Sequence, residues 1–198
     1  PVDIDVTPFD NSKSNKEGVS RTYKGFDGYA PIMAYIGTEG YAINFELREG
    51  KQHCQNGTVE FLQETVELCR RLTDKPLLVR LDSGNDSIDN VAVLIDAGCF
   101  FIIKRNLRRE SRDGWFEMAK QYCQDISSPR DGKTVYIGSD WKTASSKRFN
   151  RDFTLRAGYE ITERTIDKYG QFNLIPEVEV ETWWTNLGDP DREIIKLY

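Results

Sequence analysis

The stretch VDIDVTPFD, residues 2–10, sets acids into a run of branched apolar residues. Read as a strand, Val2, Ile4 and Val6 face one side, and Asp3, Asp5 and Thr7 the other. Neighbouring carboxylates on one strand face repel each other, and acids are poor strand formers. Two readings account for the charge: an exposed edge strand with a solvated face, or a cation that neutralises it. Another acid, Asp82, closes the apolar run PLLVRLD and precedes a Ser-Gly turn. Alone, an acid in such a turn is an ordinary structural feature. Two converging carboxylates suit hard divalent cations, which take oxygen ligands. A pair of metals about 4 Å apart activates a water and stabilises the leaving oxygen of a phosphodiester.

The surrounding elements must bring Asp5 and Asp82 together. YAPIMAYIG and YAINFELREG are apolar runs joined through Gly37 to Gly40 as a hairpin, so three antiparallel strands open the chain. The polar, Gly-punctuated segment 11–28 between them reads as a long loop or a mobile hairpin. Val59, Leu62, Val66 and Cys69 form the stripe of a helix over 58–72. PLLVRLD follows as a strand. DSIDNVAVLIDAG is a second helix, with Asp86 or Ser87 as N-cap and Gly98 as its stop. CFFIIKRN, apolar through most of its length, is a strand covered on both faces. This order predicts a mixed α/β sheet whose later strands run parallel through helical crossovers. In it the first strand and the strand ending at Asp82 can lie side by side, and ligand sites of such sheets favour the carboxyl ends of strands.

Beyond residue 110 the texture changes. Trp115, Met118, Ala119 and Tyr122 have helical spacing, and 133–187 is dominated by strand-like runs (KTVYIGS, FTLRAGYEITERTI, QFNLI, EVEVETWW). This predicts a helix plus a β-rich insertion over 111–188. If extended, Trp183 and Trp184 point to opposite faces, with one in the core. GDPDREIIKLY opens a final helix over 189–198, with Asp189 as N-cap and Pro190 at its first position.

The bulk numbers narrow the classes. A chain of 198 residues suits one large domain or a domain with an insertion. No apolar run approaches membrane-spanning length. The start at Pro1, without Met or signal peptide, reads as a piece excised from a longer, cytoplasmic protein. Four scattered cysteines with no C-x-x-C pair read as free thiols in a reducing compartment. A net charge of −5 argues against a simple nucleic-acid-coating module but not against a nucleic-acid enzyme. The basic residues cluster in KRNLRR, where Lys104, Arg105 and the neutral Asn106 close the strand CFFIIKRN, and in KRFNR, with Arg148 and Arg151. These are candidate phosphate contacts, set against solvated strand and loop ends. His53 is the only histidine, which leaves histidine-rich zinc chemistry aside. A thiol catalyst at Cys54 lacks an orienting acid. Arg80, two before Asp82, is placed to pair with a nearby acid.

DIDVT, LLVRLDSGNDS and GCFFIIKRN, in this order and at these separations, resemble the DDE-type transposases of bacterial insertion sequences. LREGKQH, with Gly50 and His53, resembles the family's block ahead of the helix. The resemblance implies a ribonuclease H-like fold with a β-rich insertion. It makes Asp5, the acid of Asp-x-Thr, and Asp82 the first two catalytic and metal-binding carboxylates. It implies Mg²⁺ or Mn²⁺ in a two-metal site, with transposon-end and target DNA as partners. It also implies a homodimer on paired ends, associated with the bacterial nucleoid and no membrane. If Tyr198 is the tyrosine of the family's Y-x-x-R-x-x-x-E pattern, the third acid lies past it and the 198 residues are catalytically incomplete. Glu193, a turn or more upstream, is then a charge at a helix N-terminus. Two other readings stand beside this one: a ribonuclease H-like nuclease without strand transfer, and an inactive relic that binds DNA.

Overall fold

The alternating residues of VDIDV form the middle one of five neighbouring strands in the computed structural model, which describes residues 1–198. Two compact units are present: Pro1–Ile103 with Ser145–Arg151, and Lys104–Ala144 with Asp152–Tyr198.

The first unit begins with β1 (Val2–Val6), followed by three short strands, β2 (Phe9–Asp10), β3 (Ser20–Arg21) and β4 (Asp27–Tyr29). Next come β5 (Ile32–Ile36), β6 (Tyr41–Glu46), α1 (Thr58–Leu72), β7 (Leu78–Leu81), α2 (Ile88–Asp96) and β8 (Phe100–Lys104). The strand order is β6-β5-β1-β7-β8. β5 runs antiparallel to β1 and β6, whereas β7 runs parallel to β1 and β8 parallel to β7. This is the mixed sheet with parallel later strands that the element order predicts, and the ribonuclease H-like arrangement that the resemblance implies. Val2, Ile4, Val79, Leu81, Phe101, Ile102 and Ile103 are all buried. α1 buries Val59, Phe61, Leu62, Val66 and Cys69, the stripe read from its periodicity. Ser87 caps α2, its side chain accepting from the Asp89 N–H.

Segment 11–28, expected as a long loop or a mobile hairpin, contains a hairpin, β3 running antiparallel to β4. β4 pairs with both β2 and β3 to make a small second sheet. Its strands are two or three residues long, too short for hydrophobic alternation to reveal.

The second unit contains α3 (Arg112–Tyr122), β9 (Asp125–Arg130), β10 (Lys133–Ser146), β11 (Arg151–Ile166), β12 (Phe172–Thr185) and α4 (Asp191–Leu197), with small overlaps into the first. β12, β11, β10 and β9 are neighbours in that order. α3 buries Trp115, Phe116 and Ala119, with Trp115 5.7 Å from the Tyr159 ring. Gly138 leaves room for this packing, since a Cβ there would lie 2.4 Å from the Tyr159 hydroxyl oxygen. Two expectations change here. Trp183 and Trp184 are both buried, because the end of β12 is covered on both faces. The cap of α4 is Pro190 rather than Asp189. Asp191 instead takes an ion pair from Arg156, whose guanidinium also donates to the Leu187 and Asp189 carbonyls. The strand over 125–130 has no apolar alternation in its polar sequence DISSPR, and β12 runs on through Pro176. No helix is long and apolar enough to cross a membrane.

Candidate active site

β1 and β7 are parallel, with Asp3 opposite Arg80 and Ile4 opposite Leu81. The next position on each strand is Asp5 and Asp82, so the two acids emerge together at the carboxyl end of the sheet. Side chains alternate along a strand, which puts Asp3 on the same side as Asp5. Asp3 is nevertheless a different kind of group. Arg80 grips it through two of its guanidinium nitrogens, Nη2 at 2.6 Å from Oδ2 and Nε on Oδ1. That leaves Asp5 as the unneutralised acid of the strand.

Asp5 is held by its own backbone: Oδ1 accepts the Val6 N–H at 2.8 Å, and Oδ2 lies 3.5 Å from the Thr7 hydroxyl. The threonine of Asp-x-Thr thus helps orient the carboxylate. Partial burial raises the carboxyl's pKa, and the charge of Asp82 raises it further, against the hydrogen bonds from the Val6 N–H and the Thr7 hydroxyl and the charge of Lys24. Asp82 begins a 3₁₀ turn over Ser83–Asn85. Its Oδ1 accepts from Asn85 Nδ2 at 2.8 Å, and the Asn85 carbonyl in turn accepts from Asn90 Nδ2 at 2.9 Å. Asn85 is fully buried, so Asp82 is braced from beneath.

Around Asp82 opens a cleft of about 540 Å³ whose rim includes Tyr23, Lys51, His53 and Cys54. Two chain segments meet there. Gly50 is obligatory at the junction, because a Cβ would lie 2.1 Å from the Ser20 carbonyl oxygen and 2.4 Å from that of Gly28. Arg48, which the sequence did not single out, is buried and ties the segment to α1. It donates to Glu46, the Cys54 carbonyl and the Thr58 hydroxyl. No sequence signal marks such a residue, since its role depends on which carbonyls surround it.

Cys54 does not act as a nucleophile in this setting. Its thiol donates to the Gly84 carbonyl at 2.8 Å, and burial together with the Asp82 charge pushes its pKa up. A thiol held protonated is a poor nucleophile. His53 Nδ1 accepts the Gln55 N–H at 3.2 Å, so in the neutral ring the proton sits on Nε2.

The basic candidates separate into different environments. Arg105 is buried, its guanidinium 4.0 Å from the Trp184 ring centre and ion-paired with Glu110. Its charge is engaged inside the second unit, where it supports the packing of Trp115 and Trp184. Lys104 pairs with Glu181. Asn106 is exposed, its side-chain oxygen accepting the Arg108 N–H at 3.0 Å. Arg148 pairs with Glu60 of α1 at 2.6 Å, and Arg151 with Asp96 of α2 at 2.7 Å. Both pairs are roughly half exposed and thus exchangeable at small cost.

Asp5 and Asp82 thus stand side by side where β1 and β7 of this mixed sheet end. The family is explicit in the sequence: residues 2–155 match the family model described as "Transposase DDE domain group 1", and the chain belongs to that family. No curated protein matches it. Among solved structures it is similar to a piggyBac transposase, determined by cryo-EM as a synaptic complex with hairpin DNA. The identity is 12% and the TM-score 0.47, over 96% of this chain and 33% of that one. The chain therefore spans about a third of that protein's length.

Proposed function

We propose that this chain supplies the catalytic core with which a transposase cleaves DNA at the ends of a mobile element and joins them to a target. The parallel register of β1 and β7, with Asp5 and Asp82 at neighbouring strand ends, carries the proposal. Membership of the family supports it.

The donor set fits a hard divalent cation. Asp5 and Asp82 offer carboxylate oxygens, and the nearby thiol is tied to a backbone carbonyl. Mg²⁺ or Mn²⁺ bound there would supply Lewis-acid polarisation of a phosphodiester and a nucleophilic water. The residues' own part is positioning. Thr7 and the Val6 N–H orient Asp5, and Asn85 orients Asp82, so that both carboxylates are pre-set before substrate arrives. A third acid would complete the ligand set. Water would then attack a phosphodiester at the element end and displace its 3′-oxygen, and the released 3′-hydroxyl would attack a target phosphodiester in line, displacing the target strand's own 3′-oxygen.

Lys104, Asn106, Arg148 and Arg151 are the contacts we assign to DNA phosphates, with Arg105 supporting the strand end that carries Lys104. We assign a homodimer to the paired-end complex, so that each copy acts on one end.

The full-length protein, incubated with DNA carrying the element's ends and a target plasmid in Mg²⁺ or Mn²⁺, is expected to give cleaved and joined products. Asp5→Ala and Asp82→Ala should each lower both by at least about a thousandfold, the scale of losing a central catalytic electrostatic group. Full activity in either variant would defeat the assignment. Cleavage without joining would make the protein a nuclease.

A further inference from the structure

The hairpin of β11 and β12 ends in a tip whose backbone is tightly held. In its turn Asp167 donates its N–H to the Gln171 carbonyl at 2.9 Å, and its side chain accepts the N–H groups of Tyr169 at 2.8 Å and Gln171 at 2.9 Å. The turn after β9 braces it, the Gly132 carbonyl accepting the Thr165 N–H at 2.8 Å. A Cβ at Gly132 would lie 2.4 Å from Ile166 Cγ1, so the two turns touch. Beyond the turn β12 bulges. Ile166 pairs with Phe172 and Arg164 with Glu177, so a step of two residues on β11 faces a step of five on β12. Asn173 pins the bulge, donating from Nδ2 to the Arg164 carbonyl at 3.0 Å.

This fixed backbone displays large apolar side chains that the fold leaves uncovered. Leu174 is 100% exposed, Phe172 83% and Ile175 79%. Tyr169, 77% exposed, adds a ring beneath the Lys168 ammonium. Together they present on the order of 500 Å² of surface, most of the about 800 Å² per partner that a specific interface buries. The charges flanking the patch describe what covers it. Glu177 and Glu179 stand exposed beside the bulge, where they repel the phosphates of a nucleic acid. Lys168 marks the other end, on the turn. Arg164 is committed to Glu179 at 2.7 Å and reaches Glu177 only at 3.9 Å, which leaves Glu177 open to another cation. One patch thus carries a cation at one end, an acid at the other and apolar side chains between, which is self-complementary under a two-fold axis. Pro176 withholds a backbone donor from the bulge, which directs the contact to side chains rather than to strand addition.

We propose that this tip is a two-fold contact between two copies of the chain, with Leu174 and Ile175 packing against their counterparts and Lys168 facing Glu177 of the partner subunit. The inference rests on the homodimer assigned above and names a surface that makes it, one that works without DNA.

Sedimentation equilibrium of the full-length protein without DNA reads the dimer constant. Leu174→Asp is expected to weaken dimerisation at least about a hundredfold, since two leucines leave the contact per dimer. The position is fully exposed in the single chain, so loss of the fold does not confound the change. Lys168→Glu and Glu177→Lys should each weaken it about tenfold, through like-charge repulsion at two symmetric contacts. An equimolar mixture of those two variants should restore it, because each supplies the charge that the other lacks, and only a contact between copies predicts that. Wild-type protein that stays monomeric at every concentration would overturn the proposal. So would a dimer indifferent to Leu174→Asp, or a mixture no tighter than its components. If Leu174→Asp instead weakens only the binding of a DNA duplex, the tip is a DNA contact and the proposal fails. Cleavage that depends on Asp5 and Asp82, with a dimer constant indifferent to Leu174→Asp, would remove this inference and leave the catalytic reading. A tip-dependent dimer of a protein that cleaves nothing would do the reverse.

Discussion

Asp3 and Asp5 are two residues apart on one strand face, yet Arg80 neutralises the first while the second meets the charge of Asp82. The difference follows from register, since Arg80 sits opposite Asp3. Asp5 therefore carries a repulsion that a bound cation would relieve. Asp5→Asn keeps the shape and removes the charge. In EDTA at neutral pH it is expected to raise Tm by about 1–3 °C, the scale of a screened, partly exposed charge interaction. The sign with pH follows from the raised carboxyl pKa. Folding favours the protonated form, so wild-type stability is fullest below the unfolded value near pH 4 and is lost as pH rises through the folded value. The advantage of Asp5→Asn should vanish below about pH 4. Thermal unfolding of both proteins across pH checks this, and a constant difference would contradict it. Added Mn²⁺ should raise the wild-type Tm and leave that of Asp5→Asn nearly unchanged.

Among the elements, β1, β7, α1, α2 and β8 were legible because each carries a strong period or a cap. The helix over 58–72 and the Ser87 cap appear where the pattern put them. The small sheet of β2, β3 and β4 was not legible, although it positions the cleft rim. It is held by close backbone approach, to which sequence periodicity is blind. Only its glycines betray it. Gly50→Ala should force apart the segments at Ser20 and Gly28 and cost roughly 1–3 kcal/mol, as overpacking does. Urea denaturation measures that destabilisation. An unchanged midpoint would mean that the segments are not tightly apposed. The long strands of the second unit follow the same logic. Pro176 reads as a break between two runs, but β12 continues through it.

At the scale of the whole molecule, a net charge of −5 coexists with cations that we assign to DNA. In the free protein Arg148 and Arg151 are paired with Glu60 and Asp96, so binding must exchange one partner for another. Such exposed pairs are weak, whereas each neutralised phosphate releases a counterion. Replacing Arg148 or Arg151 by Gln should flatten the dependence of log affinity on log salt by about 0.9 for each phosphate no longer neutralised. Titrations of a DNA duplex over a range of salt would show it. An unchanged slope would mean that the residue does not touch the DNA. Arg105→Gln should behave differently. It removes a buried ion pair and the stacking of a guanidinium against Trp115 and Trp184, so unfolding stability should fall well before the salt slope changes.

Residue order by itself determined the strand and helix sequence of the first unit and the candidacy of Asp5 and Asp82, because apolar period and chain order are local properties. It also made the insertion recognisably β-rich, since branched and aromatic residues recur there in short runs. Only the tertiary structure decided that Arg80 claims Asp3, that Arg105 packs against two tryptophans, and that Asn85 braces Asp82. Each of these depends on which residues distant in the chain face one another, and pairing of that kind leaves no periodic trace.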